Sequence, residues 1–392
     1  MSALPFRAFD ADHHFYEAED AFTRHIERPF RARCMQWATV EGRKRLLVGG
    51  KVNHFIPNPT FDPVAKPGCL DAYFRGRNPE GKDMRGLFGQ LDPIAPEYRQ
   101  RGAKLASLDR QGLDGCFLFP TLGVGMEEAL KHDPAACAAA FRAFNRWIDE
   151  DWGFAHAGRI FGAPYFTLVD VEDAVRQLDW ALARGARLIC MRAAPVELAS
   201  GSVSPANPLF DPFWARVNEA GIAVAYHSGD AGYNKFADAW GAGGDFKAFE
   251  YDSLRMALSA SSISDTIAAL ICHGVFERFP RLRVATIESG SDWVAPLIKK
   301  LKKTHGQMPF AFKRDPVEQL QRHVSVSPYY EDDLEALKGA LGADHVLFGS
   351  DWPHAEGLAV PTDFIHDLRG YDADEVRLVM RDNALALLAP AH

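Results

Sequence analysis

One repeating unit constrains the fold of this sequence more than any other feature. It is a helical stretch, then a glycine, then a short apolar run. Gln111-Gly112 leads through Leu113-Asp114-Gly115 into Cys116-Phe117-Leu118-Phe119-Pro120. Ala183-Arg184-Gly185 leads into residues 186–191, and Glu219-Ala220-Gly221 leads into residues 222–226. A glycine just past a helix supplies the left-handed residue that ends it. A strand buried on both faces has no polar side, so it reads as a continuous apolar run. Helices alternating with such strands predict parallel βαβ units. The helix starts agree: Asp133-Pro134 and Asp211-Pro212 each predict an N-cap aspartate followed by proline in the first turn. Further strands are expected at residues 6–9, 159–168, 282–287, 324–327 and 346–349. With the three above they make eight, the number that closes a (β/α)8 TIM barrel. The expected fold class is therefore α/β, with residues 1–392 forming one barrel domain.

One stretch breaks the rhythm. Residues 28–103 are rich in Pro, Gly, Asn and Arg, as in Pro57-Asn58-Pro59-Thr60-Phe61-Asp62-Pro63. They read as an insertion after the first strand. A loop of that length is usually functional or covers something, so a lid over the barrel mouth is expected, with His54, Phe55 and Phe61 as candidate walls. A mobile appendage is the alternative.

Several function classes are disfavoured. No glycine-rich loop follows the first strand, which weighs against dinucleotide-binding and P-loop enzymes. The net charge is −8, from 52 acidic and 44 basic residues, and no Lys/Arg-dense stripe suggests nucleic-acid binding. The six cysteines form no CxxC pair; Cys116, Cys190 and Cys272 sit in apolar runs and read as buried thiols. No run approaches the roughly 18–20 apolar residues of a membrane span. Met-Ser-Ala-Leu-Pro-Phe-Arg lacks the apolar stretch of a signal peptide. A cytoplasmic protein is expected, with a small-molecule substrate, no nucleic-acid or membrane partner, and assembly as a homodimer.

In such a barrel the active site lies at the carboxyl ends of the strands. The first strand ends in Asp10-Ala11-Asp12-His13-His14 and the fourth in Arg192. The fifth ends in His227-Ser228-Gly229-Asp230, the sixth in Glu288-Ser289-Gly290, and the eighth in Ser350-Asp351-Trp352-Pro353-His354. Buried charge is costly unless paired or metal-bound, so a metal or a charged substrate explains this rim. Asp12 and His14 are two apart and point the same way in a strand. Alone, such a pair would be a surface turn; beside His227 and Asp351 it reads as half of a ligand set. His227 could otherwise be a core histidine, and Asp351 a helix cap. His13 has the opposite parity and packs or donates a supporting hydrogen bond. Glu288 is an acid/base group, an extra ligand, or a partner for Arg192.

The same residues carry a family resemblance. Asp10–His14, His227-Ser228-Gly229, Gly274-Val275-Phe276-Glu277-Arg278-Phe279-Pro280-Arg281-Leu282, Gly349-Ser350-Asp351-Trp352-Pro353-His354 and Asp382-Asn383-Ala384 together resemble the amidohydrolase superfamily. The resemblance is to the branch around aminocarboxymuconate-semialdehyde decarboxylase, the amidohydrolase 2 group. It implies that Asp12 and His14 replace the family's His-x-His, that His227 matches its fifth-strand histidine, and that Asp351 matches its eighth-strand aspartate. Binuclear members use a lysine on the fourth strand. Residues 186–192 contain none, so one metal ion is expected. Many members end the sixth strand in a histidine, where this chain has Glu288. His273 lies earlier, as a packing or supporting residue.

A set of Asp12, His14, His227 and Asp351 neutralises a divalent ion. Its nitrogen and oxygen donors suit Zn first, with Mn or Fe close behind. The resemblance implies a metal-dependent carboxy-lyase acting on a small aromatic or unsaturated acid. Asp351 and Glu288 are the catalytic candidates, and Arg192, Trp352 and His354 the substrate-binding ones. Metal-dependent hydrolysis of an amide, ester, lactone or carbon–carbon bond is the alternative. A non-catalytic binding barrel is a remote third, disfavoured by the complete ligand set.

Overall fold

Parallel strands dominate the computed structural model, which describes residues 4–242, 253–258 and 261–390. In chain order the strands are β1 (Ala8–Phe15), β2 (Met35–Val40), β3 (Arg43–Val48), β4 (Lys51–Val52), β5 (Leu113–Pro120), β6 (Ile160–Gly162) and β7 (Tyr165–Phe166). They continue with β8 (Leu188–Arg192), β9 (Val196–Leu198), β10 (Gly201–Val203), β11 (Ala223–His227), β12 (Arg283–Ile287) and β13 (Val324–Val326). Parallel pairing runs β1-β5-β6 in one sheet and β7-β8-β11-β12-β13 in another.

Two joints make these sheets one ring. At the first, β6 and β7 are halves of one segment interrupted at Ala163-Pro164. Ala163 N donates to Leu118 O at 3.0 Å, and Cys190 N donates to Pro164 O at 2.9 Å. Proline offers no N–H, so the ladder breaks there. At the second, the segment from Val346 to Trp352 bridges β13 to β1. Val346 pairs in parallel with Val326, and Trp352 with His13. Leu347 N donates to Val326 O, and Ala11 N to Phe348 O, both at 2.8 Å. These contacts complete the eight-segment parallel ring expected from the sequence.

Helices follow the strands around the outside. Gly112, Gly185 and Gly221 adopt φ of +72°, +87° and +62°, the left-handed conformation for which glycine has no Cβ penalty. Asp133 caps its helix through Ala136 N. Asp211 does not act as the cap: Phe210 precedes the helix Asp211–Ala220, and the Asp211 carboxylate pairs with Arg278 at 2.9 Å. Aromatic rings fill the layer between ring and helices, with Phe15 stacked on Trp152 and edge-on to Trp147.

Three local expectations change. The first strand is not confined to residues 6–9; β1 carries Asp10 to His14 inside it, all buried. Backbone pairing to β5 and to the segment after Val346 keeps the charged run extended. The stretch expected as an insertion at 28–103 contains the antiparallel meander β2-β3-β4, and its last residues already belong to the helix Arg101–Arg110. Cys272 is exposed, at the end of the helix Ser262–Cys272, because the apolar run around it buries only one helix face.

By length and composition Ser253–Cys272 is apolar enough to cross a bilayer, which the count of apolar runs had not suggested. It carries Arg255 and Asp265, and Ile263, Ile267, Leu270 and Ile271 are buried within the fold.

Candidate metal centre and active-site cavity

β1, β11, β12 and the segment after Val346 deliver their side chains to one point. His14 Nε2 lies 3.2 Å from Asp12 Oδ1, 3.3 Å from His227 Nε2, 3.4 Å from Asp351 Oδ1 and 3.7 Å from Glu288 Oε2. His227 Nε2 lies 3.5 Å from Asp12 Oδ1 and 3.4 Å from Glu288 Oε2. Two donors each about 2.1 Å from one ion in a tetrahedron stand about 3.4 Å apart. Asp12, His14, His227 and Asp351 are thus gathered as their strand-end positions suggested, and Glu288 joins them.

The hydrogen bonds at the far sides of the rings decide the chemistry. His14 Nδ1 lies 3.2 Å from Pro120 O, and His227 Nδ1 lies 2.8 Å from Ser228 O. A carbonyl only accepts, so each Nδ1 carries the proton and each Nε2 presents a lone pair. Two lone pairs facing each other at 3.3 Å, with the buried Asp12 Oδ1 and Asp351 Oδ1 lacking hydrogen-bond partners, need a cation between them. These residues fit a divalent metal ion.

Neighbouring residues fix the donors. Asp10 is buried and accepts from Asp12 N and Ser350 N, both at 3.0 Å, and from Ser350 Oγ. Asp351 N donates to Asp12 O at 2.9 Å. A Cβ on Gly349 would touch Ser327 Oγ and lie 2.6 Å from Asp12 Cβ. Gly349→Ala is therefore expected to lower unfolding free energy by about 1–3 kcal/mol, the usual cost of overpacking, and to weaken metal binding. Denaturant melts and metal titration check this; wild-type values in both would remove Gly349 from the framework. Glu288 and Asp351 themselves adopt φ of +50° and +55°. That left-handed backbone costs a non-glycine residue about 1–3 kcal/mol and persists where its surroundings over-determine it.

The electrostatics divide the carboxylates. Burial raises the pKa of Asp12, but the adjoining His14 and His227 imidazoles outweigh it and hold Asp12 below the ordinary carboxylate range. Burial, reinforced by Asp351, Asp12 and Glu356, pushes Glu288 well above that range. Burial and then Glu356 and Asp12 do the same to Asp351. His14 is pushed well below the usual imidazole value, first by burial.

Above the centre opens a cavity of about 630 Å³. Its floor is Asp12, His14, His227, Glu288 and Asp351, with His354 beside them. His354 packs against His14 with ring centroids 4.0 Å apart and the planes tilted by 33°. Its Nδ1 lies 2.5 Å from Asp351 Oδ1 without hydrogen-bond alignment, and its Nε2 lies 2.9 Å from Thr121 Oγ1. The chain between β1 and β5 supplies much of the wall, including Phe55, Phe61, Val64, Phe88 and Leu91. Phe55 and Phe61 stand where the sequence suggested a wall; His54 does not line the cavity. Gly125 permits this packing: a Cβ there would meet the Phe55 ring at 2.6 Å.

The amidohydrolase family profile matches residues 10–389. The chain belongs to the amidohydrolase family. A crystal structure of an amidohydrolase from Mycobacterium avium subsp. paratuberculosis K-10 shares 46% identity. The match covers 99% of this chain and 100% of that one, with a TM-score of 0.93. Two more distant structures share the fold. A dihydroxybenzoic acid decarboxylase from Polaromonas sp. JS666, with bound manganese and 2-nitroresorcinol, is 15% identical at TM-score 0.60, covering 98% and 97% of the two chains. The 5-carboxyvanillate decarboxylase of Sphingomonas paucimobilis is 16% identical at TM-score 0.60, covering 98% and 99%.

In this amidohydrolase several expected contacts are rearranged. Arg192 does not face the cavity or pair with Glu288; its guanidinium donates to Glu128 at 2.6 Å and to Ala231 O at 3.0 Å. The acidic residues after β5 capture it because they pack beside the end of β8. Trp352, expected to contact substrate, does not line the cavity. It is buried under Lys104, whose Nζ sits 4.5 Å from its ring, and against His13. His273 supports nothing at the centre; it is exposed just past the helix Ser262–Cys272, and its carbonyl accepts from Arg278. His13 packs as its parity implied, with Lys104 Nζ 3.2 Å from its Nδ1 and 2.8 Å from His14 O.

Sequence reading missed Lys104, buried in a helix with no motif, its amine pushed down to about 7 by burial. It also missed Glu17, whose buried carboxylate accepts from Thr121 N, Leu122 N and Gly123 N at 2.9–3.1 Å. That contact holds the turn that brings Thr121 and Val124 to the cavity. No spacing signal marks either residue.

Proposed function

We propose that this amidohydrolase is a metal-dependent carboxy-lyase that removes carbon dioxide from an aromatic or unsaturated organic acid. The observation that carries the reading is Glu288, a carboxyl whose pKa burial pushes well above the ordinary range, grouped with Asp12, His14 and His227 on one side and with His14, Asp351 and His354 on the other, on the floor of an apolar-walled cavity. Decarboxylation needs an acid that gives a proton to carbon, whereas hydrolysis needs a base that takes one from water. The decarboxylases that share this fold, one with bound manganese, support the same choice.

Asp12, His14, His227 and Asp351 would hold one divalent ion; the mixed nitrogen and oxygen donors suit Zn, and Mn next. Such an ion would supply Lewis acidity for the carboxylate and for the charge that builds as carbon dioxide leaves. The chain does the rest. Thr121 and His354 fix the Asp351 side of the floor. The aromatic wall excludes water. Glu288 delivers its proton to the carbon whose bond to the carboxylate breaks, so that one C–C bond is lost, one C–H bond forms, and solvent reprotonates Glu288.

The test is carbon dioxide release from a panel of hydroxybenzoic acids, before and after chelator dialysis and after return of Zn or Mn. Release that disappears with chelation and returns with one metal is expected. Hydrolysis of amides, esters or lactones by a protein inert toward every acid would replace this reading with the hydrolytic one.

A further inference from the structure

The substrate that this cavity fits is larger and more apolar than its metal-binding end requires. A cavity of about 630 Å³ lies in the range that encloses drug-sized ligands, roughly 300–1,000 Å³. A bare aromatic acid leaves most of such a space unfilled. Away from the donor cluster the walls are Phe55, Ile56, Phe61, Val64, Phe74 and Phe88. The described lining residues include no lysine and no arginine. They do include two further carboxyl groups beyond the floor, Glu331 and Glu356. Glu356 Oε2 is buried and has no hydrogen-bond partner. The cation that could have served the cavity, Arg192, is bound to Glu128.

A second anionic group on the substrate would therefore sit in apolar surroundings among carboxylates, with nothing to compensate its desolvation. An apolar extension would displace water from aromatic walls. We infer that the substrate is a monoacid with one metal-seeking head and a hydrophobic body, and that a second carboxylate at the far end is rejected. This rests on the carboxylate-on-metal reading above for the head, but the body is read from the walls alone.

The test is calorimetric binding to the full chain. The probes are salicylates carrying an alkyl chain, methyl to hexyl, para to the carboxylate, and the same head group carrying a second carboxylate there. The titrations are run on metal-loaded and on chelator-treated protein. Each added methylene should tighten binding by about fourfold until the wall is reached, and the slope should be the same with and without metal. The dicarboxylate should bind at least about tenfold more weakly than the methyl probe. Loss of metal should weaken all probes by a common factor; absence of that factor counts against the metal-bound head and leaves the slope to judge the wall. A flat series, a dicarboxylate that binds as well as the alkyl probes, or no binding by any probe overturns the inference. Leu91 lines the cavity and is 42% exposed, so Leu91→Arg should fold. It should raise affinity for the dicarboxylate about tenfold relative to the methyl probe; an unaltered ratio of the two would overturn the rejection of a second carboxylate by the uncompensated wall.

Discussion

Glu288→Gln is expected to keep its metal and lose turnover by about a hundredfold or more, the scale of a general acid. Glutamine matches the shape of the protonated acid and can still donate a hydrogen bond, but it has no proton to give to carbon. Burial is the largest cause of the raised Glu288 pKa, with the Asp351 and Asp12 carboxylates next; a bound cation would oppose that shift, so the pH profile of the metal-loaded enzyme tests the acid role directly. The competing role is ligation, because Glu288 Oε2 stands 3.4 Å from His227 Nε2. Single-turnover kinetics and elemental analysis on one preparation separate the two. Metal lost with turnover makes Glu288 a ligand; metal and turnover both retained remove it from the chemistry. The pH profile gives a second check. The protonated form is the active one, so the rate should fall as pH rises through the raised pKa, and that limb should vanish in Glu288→Gln.

His227→Ala is expected to lose most of its metal and, with it, activity by three orders of magnitude or more, on the order of removing a metal-centred Lewis acid worth several kcal/mol. The reason is the direction of its lone pair. Ser228 O holds the Nδ1 proton at 2.8 Å, and Nε2 faces His14 Nε2 at 3.3 Å. Removing one imidazole leaves the other donors in place but opens a gap that only water can fill. The fold should survive, because β11 is held by paired backbone on both sides, to β8 and to β12. Elemental analysis and circular dichroism of the purified variant check this. Full occupancy would take His227 out of the ligand set.

The barrel was legible because its determinants are local. Apolar runs such as Cys116 to Phe119, bounded by glycine and alternating with helices, read as doubly buried strands, and glycine after each helix fixes where the chain turns. Asp12, His14, His227 and Asp351 were legible for a related reason: a strand end in a parallel ring always opens on the same face, so one-dimensional position gives three-dimensional proximity. The partners of long side chains were not. Arg192 ends β8 as expected, yet its guanidinium goes to Glu128, which the turn after β5 brings alongside. Trp352 belongs to the right motif but lies beneath Lys104 and against His13. His273 reads as a packing or supporting residue, but its place just past the helix before β12 leaves it in solvent. The contribution of Phe55 and Phe88 to one wall depends on how a segment without periodicity folds over the mouth, and on a missing side chain at Gly125. Sequence by itself determined the ring and which strand ends bring candidate donors to one rim, since backbone pairing and strand direction are properties of short segments. Tertiary structure alone decided which charges neutralise each other and what shape the substrate meets, since both depend on distances between residues that the chain brings together only once it is folded.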